Sequence, residues 1–142
     1  MTDHVTGKSI VITGAAGGFG RLLAQKAAAR GARVVGGDVN EVELEETARL
    51  VREAGGEMAT LRTDVTNVAD MKALVSLAVD RFGAVDVLVN NAGTMPLAFF
   101  ADHEQAMDAW NRCIDVNFRG VLNGMVAAYE PMKAAGRGHV VN

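Results

Sequence analysis

Apolar positions along the chain fall into short unbroken runs separated by longer stretches with helical spacing. Ser9-Ile-Val-Ile-Thr13 is a β-branched run bounded by Gly7 and Gly14, and it predicts a buried strand. From Gly18 to Gly31, the residues Leu22, Leu23, Ala27 and Ala28 recur at helical spacing, with Gly31 as a stop. Arg33-Val-Val35 running into Gly36-Gly37-Asp38 predicts a second strand and its end. Asn40 and Glu43 give a start with the form of a capping box. Leu44, Ala48 and Val51 then put one apolar face on a helix that stops at Gly55-Gly56. Glu57 to Asp64 predicts a third strand. Asn67 to Phe82 predicts a strongly periodic helix with Met71, Leu74, Val75, Ala78 and Phe82 inward and Gly83 ending it. Val85 to Val89 predicts a fourth strand. A long helical pattern runs from Ala101 to Ala135 through Trp110, Ile114, Val121 and Met125. Gly136 and Gly138 end it, and Gly138-His-Val-Val-Asn142 predicts a fifth strand that has barely begun.

Strands alternating with helices imply βαβ units and a parallel sheet, doubly wound by right-handed crossovers. The strands lack polar alternation, as expected when helices cover both faces. The fold class is therefore α/β, a doubly wound parallel sheet with helices on both faces. The 142 residues match a single domain. An apolar share of 49% with a net charge of -3 excludes a disordered chain. Lys+Arg is 14 against Asp+Glu 17 with no basic cluster, so no nucleic-acid partner is expected. No run of about 18 apolar residues predicts a membrane span. The start from Met1 to Lys8 lacks a signal pattern, and Cys113 is the one cysteine, so a cytoplasmic location is expected. His4, His103 and His139 show no ligand spacing, and no metal site is expected.

The 16 glycines stand against 2 prolines, and several cluster where the first strand meets the first helix. Thr13-Gly14-Ala-Ala-Gly17-Gly18-Phe19-Gly20 is a turn of the kind that lets backbone N–H groups approach a phosphate at a helix N-terminus. A P-loop is excluded because Arg21-Leu22 follows Gly20. The GxGxxG spacing fails at Leu23. Two patterns fit: T-G-x(3)-G-x-G through Gly14, Gly18 and Gly20, and T-G-x(2)-G-x(2)-G through Gly14, Gly17 and Gly20.

With this turn, Asp38, Asp64-Val65, Asn90-Asn-Ala-Gly93 and Asp115-Val-Asn117 in order, the chain resembles the short-chain dehydrogenase/reductase family from Lys8 to Asn142. The Asn90-Asn-Ala-Gly93 motif resembles the ordinary short branch, whose glycine pattern is the first of the two. The resemblance implies a Rossmann-like domain over 1–142 that binds NAD, and an oxidoreductase moving hydride between nicotinamide and a small alcohol or ketone. It implies cofactor contacts at Thr13, Gly14, Gly18, Phe19, Gly20, Asp38, Asp64, Val65, Asn90, Ala92 and Gly93. Asp38 would accept the adenosine ribose hydroxyls and repel a 2′-phosphate. Like unit charges at about 4 Å and an effective dielectric near 20 cost about 4 kcal/mol before screening. No Lys or Arg stands at 15, 16 or 39 to reverse this. Asp64 and Val65 would meet the adenine, the first through its carboxylate and the second through its backbone. Phe19 stands where the family has a smaller aliphatic, so its ring is expected to crowd the nicotinamide side.

Asn117 is the one family catalytic position present, a mid-helix asparagine that bends its helix and holds a water of the proton relay. The family's Ser and Tyr-x(3)-Lys would follow Asn142, so the chain is expected to be truncated in the fifth strand and inactive alone. Tyr129-Glu-Pro-Met-Lys133 has the spacing of that pair but precedes the fifth strand and contains Pro131, which argues against it. The 101–135 helix is apolar over much of its circumference, and the resemblance implies a homo-oligomer packed through it. Met95, Pro96, Phe99 and Phe100 suggest an apolar lip for the substrate. The alternative to an enzyme is a non-catalytic dinucleotide-binding module or an inactive fragment.

Overall fold

Strand β1, Ser9–Thr13, is buried at all five positions. The computed structural model describes residues 3–142 and explains this burial by placing β1 at the centre of one parallel sheet. Its neighbours are β2 (Arg33–Asp38) and β4 (Val87–Val89), flanked in turn by β3 (Glu57–Arg62) and β5 (His139–Val141), giving the order β3-β2-β1-β4-β5. Ile10 pairs with Val34 on one side and Val87 on the other. The connecting helices are α1 (Gly18–Ala29), α2 (Glu41–Glu53), α3 (Val68–Phe82), α4 (His103–Ile114) and α5 (Gly120–Ala135).

Alternation along the central strands divides the core. Ile10, Ile12 and Val34 pack with Ala24, Leu44 and Val51 of α1 and α2. Val11 and Val35 point the other way and pack with Leu74, Ala78, Ala127 and Ala128 of α3 and α5. The predicted inward residues of α2 and α3 are all buried. From β1 the chain runs outward through β2 to β3, then crosses back to β4 on the far side of β1. The two halves therefore part between β1 and β4, and the crevice beyond their C-terminal ends is where such sheets bind ligands.

Several boundaries differ from the sequence reading. Strand β3 ends at Arg62, because the Asp64 N–H turns away to the Asp70 carboxylate at 2.9 Å. Strand β4 begins at Val87, because the Asp86 side chain itself takes the Ser9 N–H at 3.0 Å. Asn40 caps α2 by accepting from the Glu43 N–H at 3.2 Å, but the Glu43 carboxylate pairs with Arg21 and does not complete the box. The 101–135 pattern is a short 3-10 turn, α4, a π-helical turn at Asp115–Arg119, and α5. Helix α5 continues through Pro131 to Ala135, so the proline does not break it there. Its face against the sheet is made of Gly120, Gly124, Ala127 and Ala128, small residues that admit close packing. Of the residues read as periodic along this pattern, Trp110, Val121 and Met125 are only half-buried, and Ile114 is 58% exposed. The π turn rotates the face after Asn117 and shifts the register on which they were aligned. Among the described residues, no helix is long and apolar enough to cross a membrane.

Candidate dinucleotide site

The turn after β1 requires glycine at three places and tolerates others at a fourth. Gly14 and Gly18 have φ of 68° and 51°, in the left-handed region. A Cβ on Gly20 would collide with the Gly14 carbonyl oxygen. Gly17 is extended, with open space where a Cβ would stand. The turn therefore needs Gly14, Gly18 and Gly20, which is the T-G-x(3)-G-x-G pattern. It delivers the chain into α1, whose first-turn N–H groups receive no side-chain cap. These free donors and the helix dipole favour an anion there. The Phe19 ring is 85% exposed and lies outside the turn's packing.

Two side chains fix the turn from outside. Arg21 bonds the Ala16 carbonyl, the Thr47 hydroxyl at 2.9 Å and the Glu43 carboxylate at 2.7 Å. Thr47, fully buried, donates to the Ala15 carbonyl at 2.9 Å. Asp38, at the end of β2, accepts from the Ala16 N–H at 3.1 Å and the Asn40 N–H at 3.0 Å, one on each oxygen. Each oxygen keeps a lone pair for a further donor.

The end of β4 is stitched to β1. Thr13 Oγ1 accepts from the N–H groups of Asn91 and Ala92, both at 3.0 Å. Asn91 Nδ2 donates to the carbonyls of Thr13 at 2.9 Å and Gly14 at 3.2 Å. Asn90 Nδ2 donates to Asn142 Oδ1 at 2.8 Å. Asn90 Oδ1 is buried without a partner, in space that a Cβ on Gly124 would fill. Asn117, in the π turn, accepts from the Thr94 N–H and donates to the Thr94 carbonyl, both at 2.8 Å. Its amide also donates to the Cys113 sulfur at 3.4 Å.

These elements enclose a cavity of about 160 Å³ between Asp38, Asp64, Val65, Gly93, Arg112 and Val116. Thr66, donating its hydroxyl at 2.7 Å and its N–H at 2.9 Å, holds the Asp64 carboxyl below the ordinary carboxylate range, with Arg112 and Arg62 assisting. Asn123 donates to the Val65 carbonyl at 2.8 Å. The structure thus brings Gly14, Asp38, Asp64, Val65, Ala92 and Gly93 around one cavity. Sequence reading missed Arg21, Thr47, Val39, Thr63, Thr94, Arg112 and Val116. Val116 was open to it, since it precedes Asn117 in the Asp115-Val-Asn117 motif. Tyr129 and Lys133 do touch, with the ammonium 5.4 Å from the ring centroid. They stand on the last turns of α5, which lead into the start of β5 at the opposite edge of the sheet. Among the described residues, no three His, Cys, Asp or Glu side chains gather as a metal site.

A family model for short chain dehydrogenases matches residues 8–142. The chain belongs to the short-chain dehydrogenase family. It is 36% identical over 141 residues to an uncharacterized oxidoreductase of Staphylococcus saprophyticus, covering 99% of this chain and 55% of that protein. It is 37% identical over 142 residues to the 3-alpha-(or 20-beta)-hydroxysteroid dehydrogenase of Mycobacterium tuberculosis, covering 100% of this chain and 53% of the relative. A short-chain dehydrogenase/reductase from Burkholderia phymatum, solved in complex with NAD, superposes with a TM-score of 0.92 at 38% identity, over 99% of this chain and 50% of that one. The chain spans about half the length of the curated relatives it matches. Within the short-chain dehydrogenase fold, the turn, Asp38 and the ends of β3 and β4 all open on the crevice between the sheet's halves.

Proposed function

We propose that this chain is the cofactor-binding portion of an NAD-dependent oxidoreductase acting on a small alcohol or ketone. One observation carries the reading: the Gly14, Gly18 and Gly20 cradle lies against a carboxylate, Asp38, fixed by the Ala16 and Asn40 N–H groups. Open space stands where a Cβ on Gly18 would project, and a dinucleotide pyrophosphate would lie there, held by N–H groups at the start of α1, with that of Phe19 among them. Asp38 would receive the adenosine ribose hydroxyls on its remaining lone pairs. Asp64 would accept the adenine amino group, and the Val65 backbone would line the ring. Ala92 and Gly93 leave room for close approach, while Thr13 and Asn90 hold the strand ends that form the floor. When bound, the dinucleotide supplies or takes the hydride at its nicotinamide carbon. Asn117, fixed to Thr94, would keep the π turn open beside the reacting centre and hold a relay water.

The same geometry supports NAD over NADP, since a 2′-phosphate would meet the Asp38 carboxylate. The NAD-bound neighbour from Burkholderia phymatum supports it as well. Assembly through the 101–135 segment belongs to the proposal, supported by Leu122, Val126 and Tyr129, exposed at helical spacing on α5, and by the exposed Ile114 and Phe118 before it. A cytoplasmic location is also part of it, supported by the free thiol of Cys113.

The test is a titration of the chain with NADH followed by nicotinamide fluorescence, repeated with NADPH and with Asp38→Ala. NADH is expected to bind at least about tenfold more tightly than NADPH at low salt. Asp38→Ala should narrow that gap. A folded chain that does not bind NADH, with or without Asp38, would overturn the reading.

A further inference from the structure

We infer that Arg112 is a further cofactor-binding residue, its guanidinium covering the open face of an adenine ring in the cavity between Asp38, Asp64, Val65 and Val116. The inference rests on the dinucleotide reading above and adds a residue to it.

Arg112, in the last turn of α4, and Val116, in the π turn that follows it, both line the cavity. The facing walls come from the ends of β2 and β3. Two carboxylates stand in those walls, yet the Arg112 guanidinium enters none of the ion pairs found among the described residues. Its field still reaches Asp64, whose carboxyl it helps to keep ionised. A planar cation above a slot with one apolar wall and two carboxylates selects for a particular ligand. A phosphate would be repelled by Asp38 and Asp64. A neutral aminopurine gives its amino protons to a carboxylate, its edge to Val65 and Val116, and its π face to the guanidinium. Arginine suits this because its flat, weakly hydrated group stacks on aromatic faces, which a compact ammonium does less well.

The experiment uses the 142-residue chain with Arg112→Ala and Arg112→Lys, each checked for folding by far-UV circular dichroism. NADH binding is read by fluorescence, and adenosine and nicotinamide mononucleotide are then used to displace it. Adenosine is uncharged, so its affinity reports stacking without long-range attraction. Arg112→Ala should weaken adenosine about three- to thirtyfold. Arg112→Lys should restore part of that, and the mononucleotide should displace NADH equally from all three. Equal adenosine affinity in wild type and Arg112→Ala would overturn the inference while leaving NADH binding intact. So would a loss confined to charged ligands that Lys repairs fully and high salt abolishes. Failure of wild type to bind NADH would instead overturn the dinucleotide reading beneath it.

Discussion

Asn117 and Thr94 are joined by two hydrogen bonds of 2.8 Å, the amide oxygen accepting from the Thr94 N–H and the amide nitrogen donating to its carbonyl. A side chain thereby pairs with the β4–α4 loop as a strand would. The helix that carries it widens into a π turn over Asp115–Arg119. Asn117→Ala removes both bonds. At about 0.5–1.5 kcal/mol each, the loss should be about 1–3 kcal/mol in urea denaturation. Amide exchange at Thr94 should accelerate with it. Unchanged protection at Thr94 would show that the loop is held by something else.

Gly17 and Gly18 separate the two glycine patterns experimentally, since Gly14 and Gly20 belong to both. Gly18 has a φ of 51°, where an alanine costs about 1–2 kcal/mol, so Gly18→Ala should shift the turn and weaken NADH at least about tenfold, the effect of a misplaced backbone donor set. Gly17 is extended and faces open space. Gly17→Ala should change stability by less than about 1 kcal/mol, since reduced unfolded-state entropy offsets a poorer N-cap. Its NADH affinity should stay close to wild type. Equal damage from both substitutions would refute the assignment.

What the sequence discloses and what it hides follow from the range of the signals. Strand β1 and the buried faces of α2 and α3 were legible because burial repeats at a fixed local period. The glycine turn was legible as a motif, though two spacings fitted it until the left-handed Gly18 and the extended Gly17 decided between them. Residues 101–135 misled for a physical reason. A π turn adds a residue to one turn, so an apolar ladder counted across Asn117 loses its register, and Ile114 comes out exposed. Arg21 and Thr47 were hidden because their contacts to the turn join distant segments through side chains. Arg112 gave no composition or motif signal, and only the closing of the β2, β3 and α4 ends around one cavity brings it forward.

Asp86 sets an acid limit on stability. Burial pushes its carboxyl up, but the Ser9 N–H at 3.0 Å and the Arg137 guanidinium at 2.7 Å outweigh it and hold the group below the ordinary carboxylate range. Asp64 shifts the same way, and Asp3 is lowered to about 2. A group with a depressed folded pKa stabilises the fold fully above its unfolded value near 3.9, and that stability is lost as pH falls through the folded value. The urea midpoint should therefore be flat above about pH 5 and fall below it. Asp86→Asn should cost about 2 kcal/mol at neutral pH and flatten part of the acid limb. An acid limb identical to wild type would remove Asp86 from the account.

Leu122, Val126 and Tyr129 fall at i, i+4, i+7 on one face of α5, and all three are exposed. Ile114 and Phe118, before and within the π turn, add exposed apolar surface, and Leu122, Met125, Val126 and Tyr129 also line an apolar hollow of about 700 Å³ against α3. A contiguous apolar stripe of this length is what an interface between helices presents, and isolated exposed leucines are not. Two copies crossing along it would bury the same face on both, the self-complementary arrangement of a two-fold dimer. Leu122→Glu and Val126→Glu together place charges at the centre of that contact and touch neither the glycine turn nor the cavity. Sedimentation velocity of the unsubstituted chain should show a dimer or larger species, and the double variant a monomer. NADH affinity should be the same in both. A wild-type monomer at tens of micromolar would dismiss this face as the interface.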